Sequence, residues 1–144
     1  MTSVSSERAS APSSTRWRWY VPDAYIPPVS TPPEISHESI CVLNDSASSA
    51  QFTVSAYFAD RDPQRSLPIT IEGSRAVHLR TDVPAAVGGL QLERGVPYGL
   101  VIESPVELHV QYSRLDTTQP AYTLMTALLG SEVTQITTDH TGQR

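Results

Sequence analysis

Val106-Glu107-Leu108-His109-Val110-Gln111-Tyr112 alternates without a break, with Val106, Leu108, Val110 and Tyr112 on one side and Glu107, His109 and Gln111 on the other. Successive side chains of a β-strand point to opposite faces of its sheet, so this is the pattern of a strand with one face buried and one face wet. Gln51–Phe58 repeats it, setting Phe52, Val54, Ala56 and Phe58 against Gln51, Thr53, Ser55 and Tyr57. Arg75–Arg80 follows less strictly, with Val77 and Leu79 against Arg75, His78 and Arg80. Glu38–Leu43, Leu67–Ile71 and Tyr98–Ile102 are further apolar, β-rich runs. Turn-forming clusters separate them: Asn44-Asp45-Ser46, Arg61-Asp62-Pro63, Gly88-Gly89 and Glu103-Ser104-Pro105. The last is short enough to predict a hairpin between the strands it joins. Short strands with turns between them predict an all-β, single-domain β-sandwich or barrel. Tyr122–Leu129, between Pro120 and Gly130, fits a short helix or a final strand equally well by its own pattern.

The chain has 144 residues, 39% of them hydrophobic and 17% charged, which suits one domain with a modest core. No apolar run approaches the roughly 18 residues of a membrane-spanning helix. Residues 1–15 and 131–144 are small and polar, and both are expected as disordered tails around a folded unit at 16–130. Met1–Thr15 has no apolar stretch, which predicts no secretory signal there. Val21–Pro33 carries five prolines and is expected as an extended loop. The lone cysteine, Cys41, forbids an intramolecular disulfide and fits a reducing, cytoplasmic setting. Within Ile40–Leu43 it is expected as a small buried hydrophobe rather than a nucleophile. Fifteen acidic residues against ten basic ones, all arginine, give a net charge of −5, without the basic footprint of a dedicated nucleic-acid binder.

Catalytic signatures are absent: there is no G-x-S-x-G elbow, no glycine-rich phosphate loop, and His37-Glu38 has no second histidine at helical spacing. No catalytic residue and no cofactor is expected. His78, His109 and Glu107 could converge on a zinc ion only if their strands pair suitably, and the plainer reading is three solvated sheet residues. Arg16-Trp17-Arg18-Trp19-Tyr20 alternates cation and aromatic. It could stack bases or a sugar ring, or be a first strand whose aromatics pack inward while its arginines face water, and packing is the favoured reading.

The densest group of polar chemistry is Gln111-Tyr112-Ser113-Arg114-Leu115-Asp116, at the end of a strand. Arg114 supplies a planar fork of donors, and Asp116 can orient it or accept from a hydroxyl. The two could equally pin a strand-to-loop corner as an internal ion pair.

These residues occur with three other segments in a fixed order: Tyr25-Ile26-Pro27-Pro28, His37-Glu38-Ser39-Ile40-Cys41-Val42-Leu43-Asn44 and Tyr57-Phe58-Ala59-Asp60. From Trp19 to Gly130 the chain resembles the Anabaena sensory rhodopsin transducer-like family. The resemblance implies a jelly-roll-like β-sandwich that assembles as a homotetramer, and it favours a strand for Tyr122–Leu129. It implies a soluble, cytoplasmic, non-enzymatic signal transducer, with a membrane photoreceptor or another receptor protein as partner and a small sugar-like ligand. His37, Glu38, Asn44, Tyr57, Asp60, Gln111, Arg114 and Asp116 stand at matching family positions. With Trp19, Tyr25 and Tyr112 they form the expected ligand- or partner-binding set. A nucleic-acid-associated regulator using the Arg/Trp segment is the alternative, and a metal-dependent enzyme ranks last.

Overall fold

The computed structural model describes residues 13–137, which form ten strands and one turn of 3-10 helix at Pro84–Val87. The strands are β1 (Ser13–Ala24), β2 (His37–Asn44), β3 (Ala50–Tyr57), β4 (Gln64–Arg65), β5 (Ile69–Ile71), β6 (Arg75–Arg80), β7 (Tyr98–Ser104), β8 (His109–Asp116), β9 (Thr123–Leu129) and β10 (Glu132–Thr137). One sheet runs β10-β1-β7-β3-β4, with β5 also on β3, and the other runs β6-β2-β8-β9. All pairings are antiparallel. The expected all-β sandwich of jelly-roll type is what the chain forms.

Alternation explains the layering. Trp19 and Val21 of β1, Phe52, Val54 and Ala56 of β3, and Leu100 and Ile102 of β7 are buried from one sheet. Ile40 and Val42 of β2, with Val110 and Tyr112 of β8, are buried from the other, and all belong to one apolar core. A buried side chain of this size contributes about 1.5–3 kcal/mol relative to its exposed state, so the paired inner faces hold the sheets together. The Arg/Trp segment follows the same rule: Trp19 is buried and Trp17 packs on the core, while Arg16 and Arg18 lie on the outer face. Pro22 has no N–H to give the ladder, and the β1–β7 register shifts between Val21 and Ala24.

Four expectations change. Glu103-Ser104-Pro105 makes no hairpin, because β1 and β3 occupy both edges of β7 and leave none for β8. The chain crosses to the other sheet at this corner, where Ser104 Oγ accepts the Val106 N–H at 3.1 Å. Val106 is therefore exposed, and inward packing begins at Leu108. Cys41 is half-buried on the outer face, since Ile40 and Val42 take the inward positions, and burial still pushes its thiol pKa up. Residues 13–15, expected within the N-terminal tail, begin β1, and residues 132–137, expected within the C-terminal tail, form β10 against it, while 1–12 and 138–144 lie outside the described residues. Tyr122–Leu129 resolves as a strand: β9 pairs with β8 from Asp116↔Thr123 to Val110↔Leu129.

Candidate functional site

The β2–β8 register sets Glu38 opposite Arg114 and, two residues along, Ile40 opposite Tyr112. Glu38, Tyr112 and Arg114 thus share the inward face near one end of the sandwich. Glu38 is fully buried, yet its carboxylate is surrounded by donors. The Tyr25 backbone N–H and the Tyr112 hydroxyl donate to Oε1. The Tyr98 hydroxyl and the Thr81 hydroxyl, the latter at 3.2 Å, donate to Oε2. Four donors match the roughly four acceptor positions of a carboxylate. Tyr98 comes from β7 in the first sheet and Tyr112 from β8 in the second, so one side chain ties the two layers together. Burial first, and the charge of Glu38 second, push both phenol pKa values well above their ordinary 10.0.

Arg114 carries this network outward. Its Nε lies 3.8 Å from Glu38 and 3.3 Å from the Tyr112 oxygen. Its Nη2 donates to the Asp23 carbonyl at 3.0 Å, and the guanidinium lies over the Tyr25 ring at 5.9 Å from the centroid. Its acidic partners are therefore Glu38 and Asp23 rather than the expected Asp116. Asp116 instead accepts the Thr118 N–H at 2.9 Å, stabilising the turn after β8, and Thr118, through its side chain first and this N–H second, holds the carboxyl below the usual range.

Beside Tyr25, whose ring Arg114 covers, a cleft of about 440 Å³ opens between Tyr25, Pro27 and Pro28 on one side and Asp116, Thr118 and Gln119 on the other. Its walls are braced. Buried Ser36 and Thr117 join the Pro-rich loop to the β8–β9 loop, with Oγ and Oγ1 3.0 Å apart and the Thr117 N–H donating to Ser36 Oγ at 2.9 Å. Behind Thr81, Asp82 takes both arms of Arg80 at 2.8 and 2.7 Å and Arg94 at 2.7 Å. Arg94 also donates to the Ser36 carbonyl at 2.7 Å. Such bracing fixes the walls of the cleft relative to each other.

The expected site residues fall into separate places. Tyr25 and Asp116 line the cleft, and Glu38, Tyr112 and Arg114 join Tyr25 in the buried network beside it. His37 adjoins them in sequence, but its Nδ1 pairs with the Ile35 carbonyl at 2.8 Å. Trp19 is enclosed in the core. Asn44, at the far end of β2, uses its amide within the Asn44–Ser48 turn and on the Ile71 and Glu72 carbonyls. Tyr57 is exposed on the first sheet, in a shallow groove with Tyr20 and Pro22. Asp60 is exposed and paired with Arg61, whose guanidinium lies 4.9 Å over Phe58. Gln111 lies on the outer face of the second sheet beside Cys41, His78 and His109. There His78 faces Cys41 and His109 faces Leu43 across different neighbours of β2. Among the described residues no three His, Cys, Asp or Glu side chains are grouped so that they could hold a metal ion.

Tyr98, Thr81 and Asp23 complete the network and carry no local signature. Tyr98 is 60 residues from Glu38 in sequence, and only the packing of the two sheets makes them neighbours.

A family model, Anabaena sensory rhodopsin transducer, matches residues 14–129. The chain belongs to this family. Among solved structures it is similar to the crystal structure of Thermotoga maritima 1070, at 30% identity and a TM-score of 0.70, covering 86% of this chain and 96% of that one. It is also similar to the Anabaena sensory rhodopsin transducer, at 28% identity and a TM-score of 0.55, covering 66% of this chain and 93% of the other. No curated protein matches the chain. The family match ends at Leu129, so β10 lies beyond it. No helix among the described residues is long and apolar enough to cross a membrane.

Proposed function

We propose that the protein is a non-enzymatic signal transducer that binds a small polar, sugar-like ligand in the cleft beside Tyr25 and works as a homotetramer with a receptor protein, a membrane photoreceptor being one candidate. The observation that carries this reading is the path from cleft to sheet joint: Tyr25 lines the cleft, Arg114 lies over its ring, and both residues contact the Glu38 carboxylate that holds Tyr98 and Tyr112 from opposite sheets. A ligand hydroxyl that draws on Arg114 or the Tyr25 ring alters the contacts that set how the layers meet. Binding of this kind shifts a conformational equilibrium only by its difference in affinity between the two states. Tyr25 offers an aromatic plane for a sugar ring, and Asp116, Thr118 and Gln119 offer acceptors and donors for hydroxyls.

Assembly is supported by β9. It is the edge strand of the second sheet, and Leu124 and Leu128 are 66% and 80% exposed there. An exposed apolar edge is an aggregation hazard unless another chain covers it. The test is calorimetry of the full chain against a panel of mono- and disaccharides, alongside light scattering. Saturable heat from one sugar, lost in Arg114→Ala, supports the reading. Silence across the panel defeats the ligand, and a monomer at all concentrations defeats the assembly.

A further inference from the structure

On the outer face of the first sheet, away from the cleft, four strands contribute to a second polar site. Arg16 and Arg18 project from β1, Glu103 from β7, Thr53 from β3 and Arg65 from β4. Register explains the alignment, because Glu103 pairs with Arg18 on one side and Thr53 on the other. Glu103 Oε2 accepts from Arg18 Nε at 3.0 Å and lies 3.8 Å from Arg16 Nη1, while Oε1 accepts from Arg65 Nη1 at 3.3 Å. The second arm of Arg65 donates to Thr53 Oγ1 at 3.2 Å. Three arginines thus meet Glu103, and with Glu132 of β10 opposite Arg18 they leave a local excess of one positive charge in a chain whose formal net charge is −5.

The surroundings give that excess a shape. A cavity of about 240 Å³ is lined by Arg16, Arg65 and Glu103, with Ser14, Thr15 and Thr53 adding hydroxyls and Phe52, Pro68 and Pro105 forming an apolar side. This is below the roughly 300–1,000 Å³ of pockets that enclose drug-sized ligands, so it suits a compact head group. Arg18 engages Glu103 through Nε alone, and Arg16 makes an ion pair without a hydrogen bond among the described residues. Of these two, Arg16 lines the cavity and keeps donor arms for a ligand. Guanidinium groups bind tetrahedral oxyanions through paired N–H donors, and nearby hydroxyls complete such a shell.

We infer that the groove between Arg16 and Arg65 is a binding site for a phosphate group, either free or as the head of a small phosphomonoester. The excess positive charge suits an anion, and guanidinium and hydroxyl donors from β1, β3 and β4 suit a tetrahedral group better than a planar one. Extended nucleic acid fits poorly: two arginines lining one cavity cannot track a run of phosphates, and the adjoining Trp17 and Trp19 face the core.

The experiment is thermal unfolding and calorimetry of the full chain with inorganic phosphate, glycerol phosphate, sodium chloride at matched ionic strength, and a single-stranded oligonucleotide. The expected result is saturable stabilisation by phosphate, absent with chloride. Glycerol phosphate binding at least as well as inorganic phosphate points to a phosphomonoester, and weaker binding points to the free ion. Arg16→Gln and Arg65→Gln each weaken binding about tenfold or more while leaving the unliganded protein folded, because both side chains are half exposed. Glu103→Gln, which raises the local charge by one, tightens binding severalfold, an outcome that a purely structural Glu103 does not produce. Stabilisation that does not saturate, or that survives both arginine variants, overturns the proposal. Oligonucleotide binding tighter than phosphate, with a steep dependence on salt, overturns it in favour of a nucleic-acid surface.

Discussion

Glu38 and Glu103 are both carboxylates shielded from water in a small β-sandwich, and they are satisfied in opposite ways. Glu38 lies between the sheets and is held by three hydroxyls and a backbone N–H, with its one cation, Arg114, at 3.8 Å. Glu103 lies on the outer face of one sheet and is held by three arginines that keep 40–55% of their side-chain surface in water. Interior positions favour neutral donors because a second buried ion carries its own desolvation penalty. At the surface long guanidinium side chains can meet a carboxylate while remaining hydrated. The first arrangement makes a joint between layers, and the second leaves spare positive charge for something outside.

The contrast can be broken most sharply at Glu38. Glu38→Ala strands two buried phenols and Arg114, and we expect a loss of about 3–5 kcal/mol in urea unfolding. A loss below about 1 kcal/mol would mean that the joint is not what holds the layers. Tyr98→Phe and Tyr112→Phe each remove one hydrogen bond to a charged acceptor and should cost about 1.5–3 kcal/mol. A double-mutant cycle between them should be non-additive, since both act through one carboxylate.

The same phenols give a pH signature. Their pKa values in the folded protein are raised, so below pH 10 neither state ionises and their contribution is intact. Above the unfolded value near 10 the unfolded chain loses protons first, and stability falls as pH rises toward the folded values. The fall should be shallower in Tyr98→Phe, and equal slopes in the two proteins would count against the shared site. The smallest effect is expected at Glu103: Glu103→Ala leaves its three arginines hydrated and should cost about 1 kcal/mol. A loss as large as that of Glu38→Ala would erase the distinction between the two sites.

Strands with one buried face were readable because alternation is a local consequence of the pleat. Phe52, Val54 and Ala56, like Val110 and Tyr112, lie where their spacing puts them. The Arg/Trp segment was readable in the same way once its packing reading was preferred. The hairpin expected at Glu103-Ser104-Pro105 failed for a non-local reason: turn residues say that the chain reverses, but not whether the next strand finds a free edge. Tyr122–Leu129 stayed open between helix and strand because eight residues show too little periodicity, and pairing with β8 decided it. The strand over 132–137 was missed because a polar segment shows no buried face, whereas its backbone bonds to the edge of β1 are indifferent to side chain.

By itself the sequence determined the β-rich architecture, the inward residues of the main strands, and the gathering of amide, phenol, guanidinium and carboxylate in Gln111–Asp116. Tertiary structure alone decided that Glu38 would meet Tyr98 and Thr81, that Arg114 would turn to Asp23 and Glu38 in place of Asp116, and that Arg65 would join Arg16 and Arg18 around Glu103. The reason is one of range. Side-chain alternation is set by bonds between neighbouring residues, whereas a buried charge is satisfied by whichever donors the crossing of two sheets brings within about 3 Å.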